Sequence, residues 1–191
     1  MGLGKQAKTL TEAQEKAVLA YLSVGANPKR NTVMFLLSVD AGLRAKEIAS
    51  ITWEMMTDAE GNLTDEIRLI DKASKGKSGG VVFISTRLKK ALVEFAETRH
   101  TLRGPTISSN RGGAMTTQSV TNWFFTLYKK LGFEGCSSHS GRRTAITKWA
   151  RKISNVGGSM RDVQALARHS SLQMTQRYLE VSENAMRKVV G

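Results

Sequence analysis

The sequence predicts a mainly α protein with one small antiparallel β-hairpin, an α+β class, in a single domain over residues 1–191. Three observations predict it. Apolar residues recur at helical spacing along most of the chain. One glycine- and lysine-rich tract is flanked by apolar runs of strand length. Hydrophobic residues make up 40% of the 191 positions, enough to build a proper core.

The elements follow in order. Thr11 with Gln14 three residues on forms a capping-box pattern, and Ala17, Val18, Tyr21 and Leu22 supply the apolar stripe of a helix that ends near Gly25. A second helical segment, 33–39, runs into Asp40-Ala41-Gly42, where Gly42 is a C-terminal stop, and a short helix over 44–51 follows. Arg44 therefore stands just after a turn. Ile67, Leu69 and Ile70 precede the polar tract 72–80, and Val81 to Ile84 follow it, as in a hairpin with a long lysine-rich tip. Helices are then predicted over 86–100 (Leu88, Leu92, Phe95 and Ala96 inward), 117–131 (Val120, Phe124, Leu127 and Tyr128 inward) and 140–151. Three short ones close the chain. Ser159 caps the first, with Val163, Leu166 and Ala167 inward; the second carries Met174 and Tyr178; Ser182 opens the last, over 183–190. The loop 102–115 is the one place for a subdivision, but its composition does not shift enough to mark a boundary.

The charge names the partner. Twenty-nine Lys and Arg against 16 Asp and Glu give +13 and a pI near 10.2, spread along the whole chain rather than gathered in tails. Such a surface attracts polyanions, chiefly by releasing counterions from phosphates, so nucleic acid is the first expectation, ahead of a basic ribosomal or generally sticky protein, whose charge gathers in lysine-rich tails. A lone cysteine, Cys136, excludes an internal disulfide, and no Cys/His cluster has zinc spacing, so neither metal nor cofactor is expected. Without an apolar leader or a membrane-length apolar run, a cytoplasmic setting without membrane contact is the reading.

Cleaving a phosphodiester puts negative charge on nonbridging oxygens, and a catalyst without metal needs several cationic donors converging there. Arg44 and Arg142 are candidate clamps, since a guanidinium binds two oxygens at once and keeps its proton. The plainer reading of Arg44 is an ion pair with Glu47, three residues on. His139 and Arg142 are three apart at a predicted helix start, where both could face one anion; the plainer reading of His139 is a capping residue. His169 falls between two helices. Tyr178 at helical spacing from Met174 reads first as a core residue with its hydroxyl at the rim. A phenol, titrating near about 10, attacks at neutral pH only with cations or a base beside it. Lys75, in the hairpin tip with Lys72 and Lys77, is a phosphate anchor or the acid that protonates a departing alkoxide.

Together Gly42-Leu43-Arg44-Ala45-Lys46-Glu47, Ser138-His139-Ser140-Gly141-Arg142 and Ala167-Arg168-His169-Ser170-Ser171-Leu172-Gln173-Met174-Thr175-Gln176-Arg177-Tyr178 resemble, in order and spacing, the three boxes of the tyrosine recombinases, or phage integrase family. The resemblance runs from residue 11 to the end and implies the catalytic-domain fold of that family. It implies that Tyr178 forms a 3′-phosphotyrosyl link and that Arg44, Arg142 and His169 stabilise the phosphorane. Lys75 would be the general acid, with Lys77 its fallback and His139 assisting proton transfer. The partner implied is double-stranded DNA, whose strands would be cut and rejoined with neither ATP nor a metal ion, and integration, excision, inversion and dimer resolution are all open. The other readings are a non-cleaving DNA-binding module of the same fold and a topoisomerase, which shares the chemistry but lets the DNA swivel.

Three departures stand out. Arg168 replaces the glycine that usually precedes the third-box histidine, Gly141 stands where the second box has a larger apolar residue, and residues 155–159 lengthen the connection between boxes. The family's N-terminal helical DNA-clamping domain is expected to be absent. The last helix, with Ala185, Met186, Val189 and Val190 on one face, is too short to stand alone. It is expected to dock on a neighbouring protomer, giving a tetramer on DNA, or to fold back on its own domain.

Overall fold

The computed structural model describes residues 6–70, 79–178 and 187. Helix α1 (Glu12–Ser23) begins as its sequence dictates: Thr11 Oγ1 accepts from the Gln14 amide, and Gln14 Oε1 accepts from the Thr11 amide. Its inner face differs from the expected stripe. Val18 and Leu22 are buried, but Ala17 and Tyr21 face out and Glu15 is buried. A carboxylate goes inside because Arg87 meets it there, at 3.0 Å.

Helix α2 (Pro28–Val39) starts before the apolar run that announced it, with Pro28 in the first turn, where a missing N–H costs nothing. It is buried at every residue from Val33 to Val39 and is stopped at Gly42 as expected, φ +63 there letting the Leu43 amide reach back to the Leu37 carbonyl. Helix α3 (Ala45–Ser50) and a 3-10 turn (Trp53–Met55) lead to strands β1 (Glu66–Leu69) and β2 (Gly80–Phe83). These pair antiparallel, Glu66 opposite Phe83 and Leu69 opposite Gly80, with Ile67, Leu69 and Val82 on the buried face. The hairpin tip, with Lys72, Lys75 and Lys77, lies outside the described residues, as does Ser182.

Helix α4 (Thr86–Ala96) stops four residues short of its predicted end. Thr98 Oγ1 donates to the Phe95 carbonyl at 2.6 Å, and a side chain bonding that carbonyl competes with the helical ladder. Helix α5 (Thr117–Lys130) runs as expected, with Phe124 stacked on Tyr128. Helix α6 (Ser140–Lys152), a 3-10 turn (Ile153–Val156), α7 (Met160–Ala167) and α8 (Leu172–Gln176) complete the order. Tyr178 lies just beyond α8 rather than on it, and Thr175 is the residue of α8 that is buried.

Two compact units result, 1–145 and 146–191, the boundary falling within α6. The first is built around a core of α1 to α5 and the buried hairpin face, with Trp53, Phe35, Phe124 and Tyr128 among its largest side chains. In the second, Ile146, Val163 and Ala167 form a smaller core, against which Trp149, Ile153, Met160 and Tyr178 pack. Among the described residues no helix is long and apolar enough to cross a membrane.

Candidate active site

Arg44 occupies the position before α3, where helix amides lack carbonyl partners. Glu47, wholly buried, turns back to it: Oε2 accepts the Arg44 amide at 2.7 Å and Oε1 accepts Nη1 at 2.9 Å. One carboxylate both caps the helix and holds one arm of the guanidinium. The ion pair offered as the plain reading is present, and with a side chain only 22% exposed it orients Arg44 rather than merely neutralising it.

Arg142 lies on the first turn of α6 and is buried, at 4% exposure. Its Nη1 donates to the Gly42 carbonyl at 2.5 Å, so the second-box arginine is anchored on the turn that carries Arg44. The approach depends on Gly141, whose backbone lies directly against Ser38 of α2. His139 is exposed and sits one residue before α6, its carbonyl accepting the Arg143 amide as a capping residue's does. Its amide donates to Ser137 Oγ at 3.3 Å. In the first unit, then, the structure ties Arg142 to the Arg44 turn and leaves the imidazole of His139 at the surface.

His169 belongs to the second unit. Helix α7 ends in a Schellman turn: the Arg168 amide donates to the Ala165 carbonyl and the His169 amide to the Gln164 carbonyl. That turn requires a left-handed residue, and Arg168 adopts it at φ 51, ψ 48. This is why a glycine is usual before the histidine, and the arginine reproduces the turn at some cost in backbone strain. Gln164 Nε2 further donates to the His169 carbonyl at 3.1 Å. The imidazole is 7% exposed, with Nδ1 3.0 Å from the hydroxyl of Thr175. Tyr178, half-buried, stacks on that imidazole with ring centroids 5.4 Å apart and planes 25° from parallel.

The other two tyrosines have no such surroundings. Tyr21 lies on the outer face of α1; Tyr128 is in the core, its hydroxyl without a hydrogen-bond partner among the described residues, and burial pushes that phenol far up. Of the six predicted site residues five are described, Arg44, His139 and Arg142 in the first unit and His169 and Tyr178 in the second; Lys75 lies outside the described residues. Sequence reasoning missed Thr175. Its signal was the three-residue spacing to Tyr178, one helical turn.

Residues 8–185 match the model of the phage integrase family. The chain is 26% identical over 164 residues to tyrosine recombinase XerC of Leptospira interrogans, covering 84% of this chain and 49% of that protein. It is 28% identical over 199 residues to tyrosine recombinase XerD of Vibrio cholerae, covering 95% and 60%. Among solved structures, the Tn1549 transposon integrase bound to a circular intermediate DNA superposes with a TM-score of 0.73 at 17% identity, over 98% of this chain and 66% of that one. The chain thus spans about half the length of the curated relatives it matches.

Proposed function

This chain belongs to the phage integrase family, and from that premise we propose that residues 1–191 are the catalytic domain of a site-specific recombinase that cuts and rejoins double-stranded DNA through Tyr178. The observation that carries the proposal is the Tyr178–His169 stack: the half-buried phenol lies on an imidazole fixed in place by the turn ending α7. The matching relatives are named as recombinases, and the Tn1549 integrase is bound to DNA, which supports duplex DNA as substrate.

In this reading Tyr178 Oη attacks the scissile phosphorus. The Oη–P bond forms as the P–O5′ bond breaks; the phenolic proton passes to a base, and the leaving 5′-oxygen receives one from Lys75, with His139 assisting. Arg44, Arg142 and His169 donate to the nonbridging oxygens, whose charge peaks in the transition state. The phosphotyrosyl ester keeps the energy of the broken bond, so a 5′-hydroxyl attacking it reseals a strand and releases the phenol. Four copies act on two duplexes, joined through residues 183–190, which apart from Arg187 lie outside the described residues.

The test is a search for SDS-resistant adducts between the protein and labelled duplexes from the regions flanking its own gene, with chelator present. The parent is expected to give an adduct and Tyr178→Phe none. Tight binding without an adduct in either protein would favour the non-cleaving module.

A further inference from the structure

Thr175 is used by none of the chemistry above, yet it touches both residues of the stack. Its side chain is fully buried with Oγ1 3.0 Å from His169 Nδ1, while its carbonyl accepts the Tyr178 amide at 3.0 Å. Burial decides which way the side-chain hydrogen bond runs. A neutral imidazole has one N–H and one lone pair, and a hydroxyl has one hydrogen and two lone pairs. Were the ring hydrogen on Nδ1, it would donate to Oγ1, and the hydroxyl's own hydrogen would be buried with no acceptor among the described residues. Were it on Nε2, the hydroxyl would donate to Nδ1 and only a spare lone pair would go unused. A buried donor without an acceptor is the costlier defect.

We propose that Thr175 is a positioning residue that fixes His169 in the tautomer carrying its hydrogen on Nε2, by donating its hydroxyl hydrogen to Nδ1. The inference deepens the recombinase reading and rests on it only for its consequence. Nε2–H is the donor a nonbridging phosphate oxygen needs, whereas the opposite tautomer would present a lone pair to an anion and repel it. Thr175 also holds the amide of Tyr178, so the same residue sets the donor's protonation pattern and the nucleophile's place on the chain.

The tautomer is read from long-range nitrogen–proton spectra of protein labelled with 15N-histidine. The three histidines, His100, His139 and His169, are few enough to assign by the signal lost in His169→Gln. The parent is expected to show a protonated Nε2 and an unprotonated Nδ1 at His169. Thr175→Val, which keeps the shape and removes the hydroxyl, should move both nitrogens toward averaged values, and Thr175→Ser should restore them. A parent ring protonated on Nδ1, or a Thr175→Val ring unchanged from the parent, would overturn the proposal, and the parent spectrum decides even if the valine variant fails to fold. In the adduct assay the valine variant should form adduct roughly ten- to a hundredfold more slowly at unchanged DNA affinity, by analogy with the loss on removing the partner that orients a metal-bound histidine, with serine close to the parent. Absence of any adduct in the parent would sink the recombinase reading but leave the tautomer to be settled by the spectra.

Discussion

A β-carbon at Gly141 would stand 2.3 Å from Ser38 Oγ, 2.8 Å from its Cβ and 3.1 Å from its carbonyl carbon. Nothing but glycine fits, and the residue that follows is Arg142. The Ser38 hydroxyl is itself buried with no hydrogen-bond partner among the described residues, so it fills space rather than bonding. The bulk that the family resemblance expects at position 141 is here supplied by α2 instead. Gly141→Ala is therefore expected to lower unfolding stability by about 1–3 kcal/mol through overpacking, read as a lower urea midpoint at unchanged slope. Adding Ser38→Gly should return part of that loss; strict additivity would show that this contact is not the cause. In the sequence Gly141 was visible only as a departure, because its reason lies on another helix. Arg168 was a departure of the same kind, and its reason is a left-handed turn that a glycine would reveal and an arginine conceals.

At the scale of elements, local signals were legible and long-range ones were not. The Thr11–Gln14 cap, the Gly42 stop and the pairing of β1 with β2 all depend on residues close in sequence. The buried Glu15 does not. It is inside because Arg87, on α4, gives it one amine at 3.0 Å while also holding both oxygens of Asp40, at the end of α2; Ser85 Oγ donates to Asp40 as well. The two carboxylates raise the Arg87 pKa still further, so its charge is permanent. Arg87 thereby ties three helices together. Arg87→Met would leave a buried carboxylate short of a partner, a defect worth 3–5 kcal/mol for a fully buried pair. Because the Arg87 side chain is 42% exposed and water screens it, the expected loss is about 1–2 kcal/mol. Thermal unfolding at neutral pH measures it, and a loss indistinguishable from that of an exposed Arg→Met control would show that the network contributes little.

Over the whole molecule, chemistry was more legible than support. The charge excess, the three boxes, the tyrosine and the pairing of Glu47 with Arg44 three residues away could be read in order along the chain; the Gly42 carbonyl and Thr175, which hold Arg142 and His169, were not, because only folding brings them to those side chains. The charge itself makes a further claim. With thirteen more Lys and Arg than Asp and Glu, the chain runs out of carboxylates before it runs out of cations, and internal ion pairs cannot neutralise it. That surplus is either a solvated surface or a set of phosphate contacts, and salt separates the two. Each phosphate neutralised contributes about 0.9 to the slope of log affinity against log salt, so about six contacts would weaken duplex binding roughly a thousandfold between about 50 and 200 mM salt. Tyr178→Phe removes a hydroxyl and no charge, so its slope should match the parent's even though it forms no adduct. A shallow slope in both proteins would mean that the basic excess is not spent on DNA, and a slope altered by Tyr178→Phe would mean that the substitution disturbs the binding surface, so that its missing adduct would no longer identify the nucleophile.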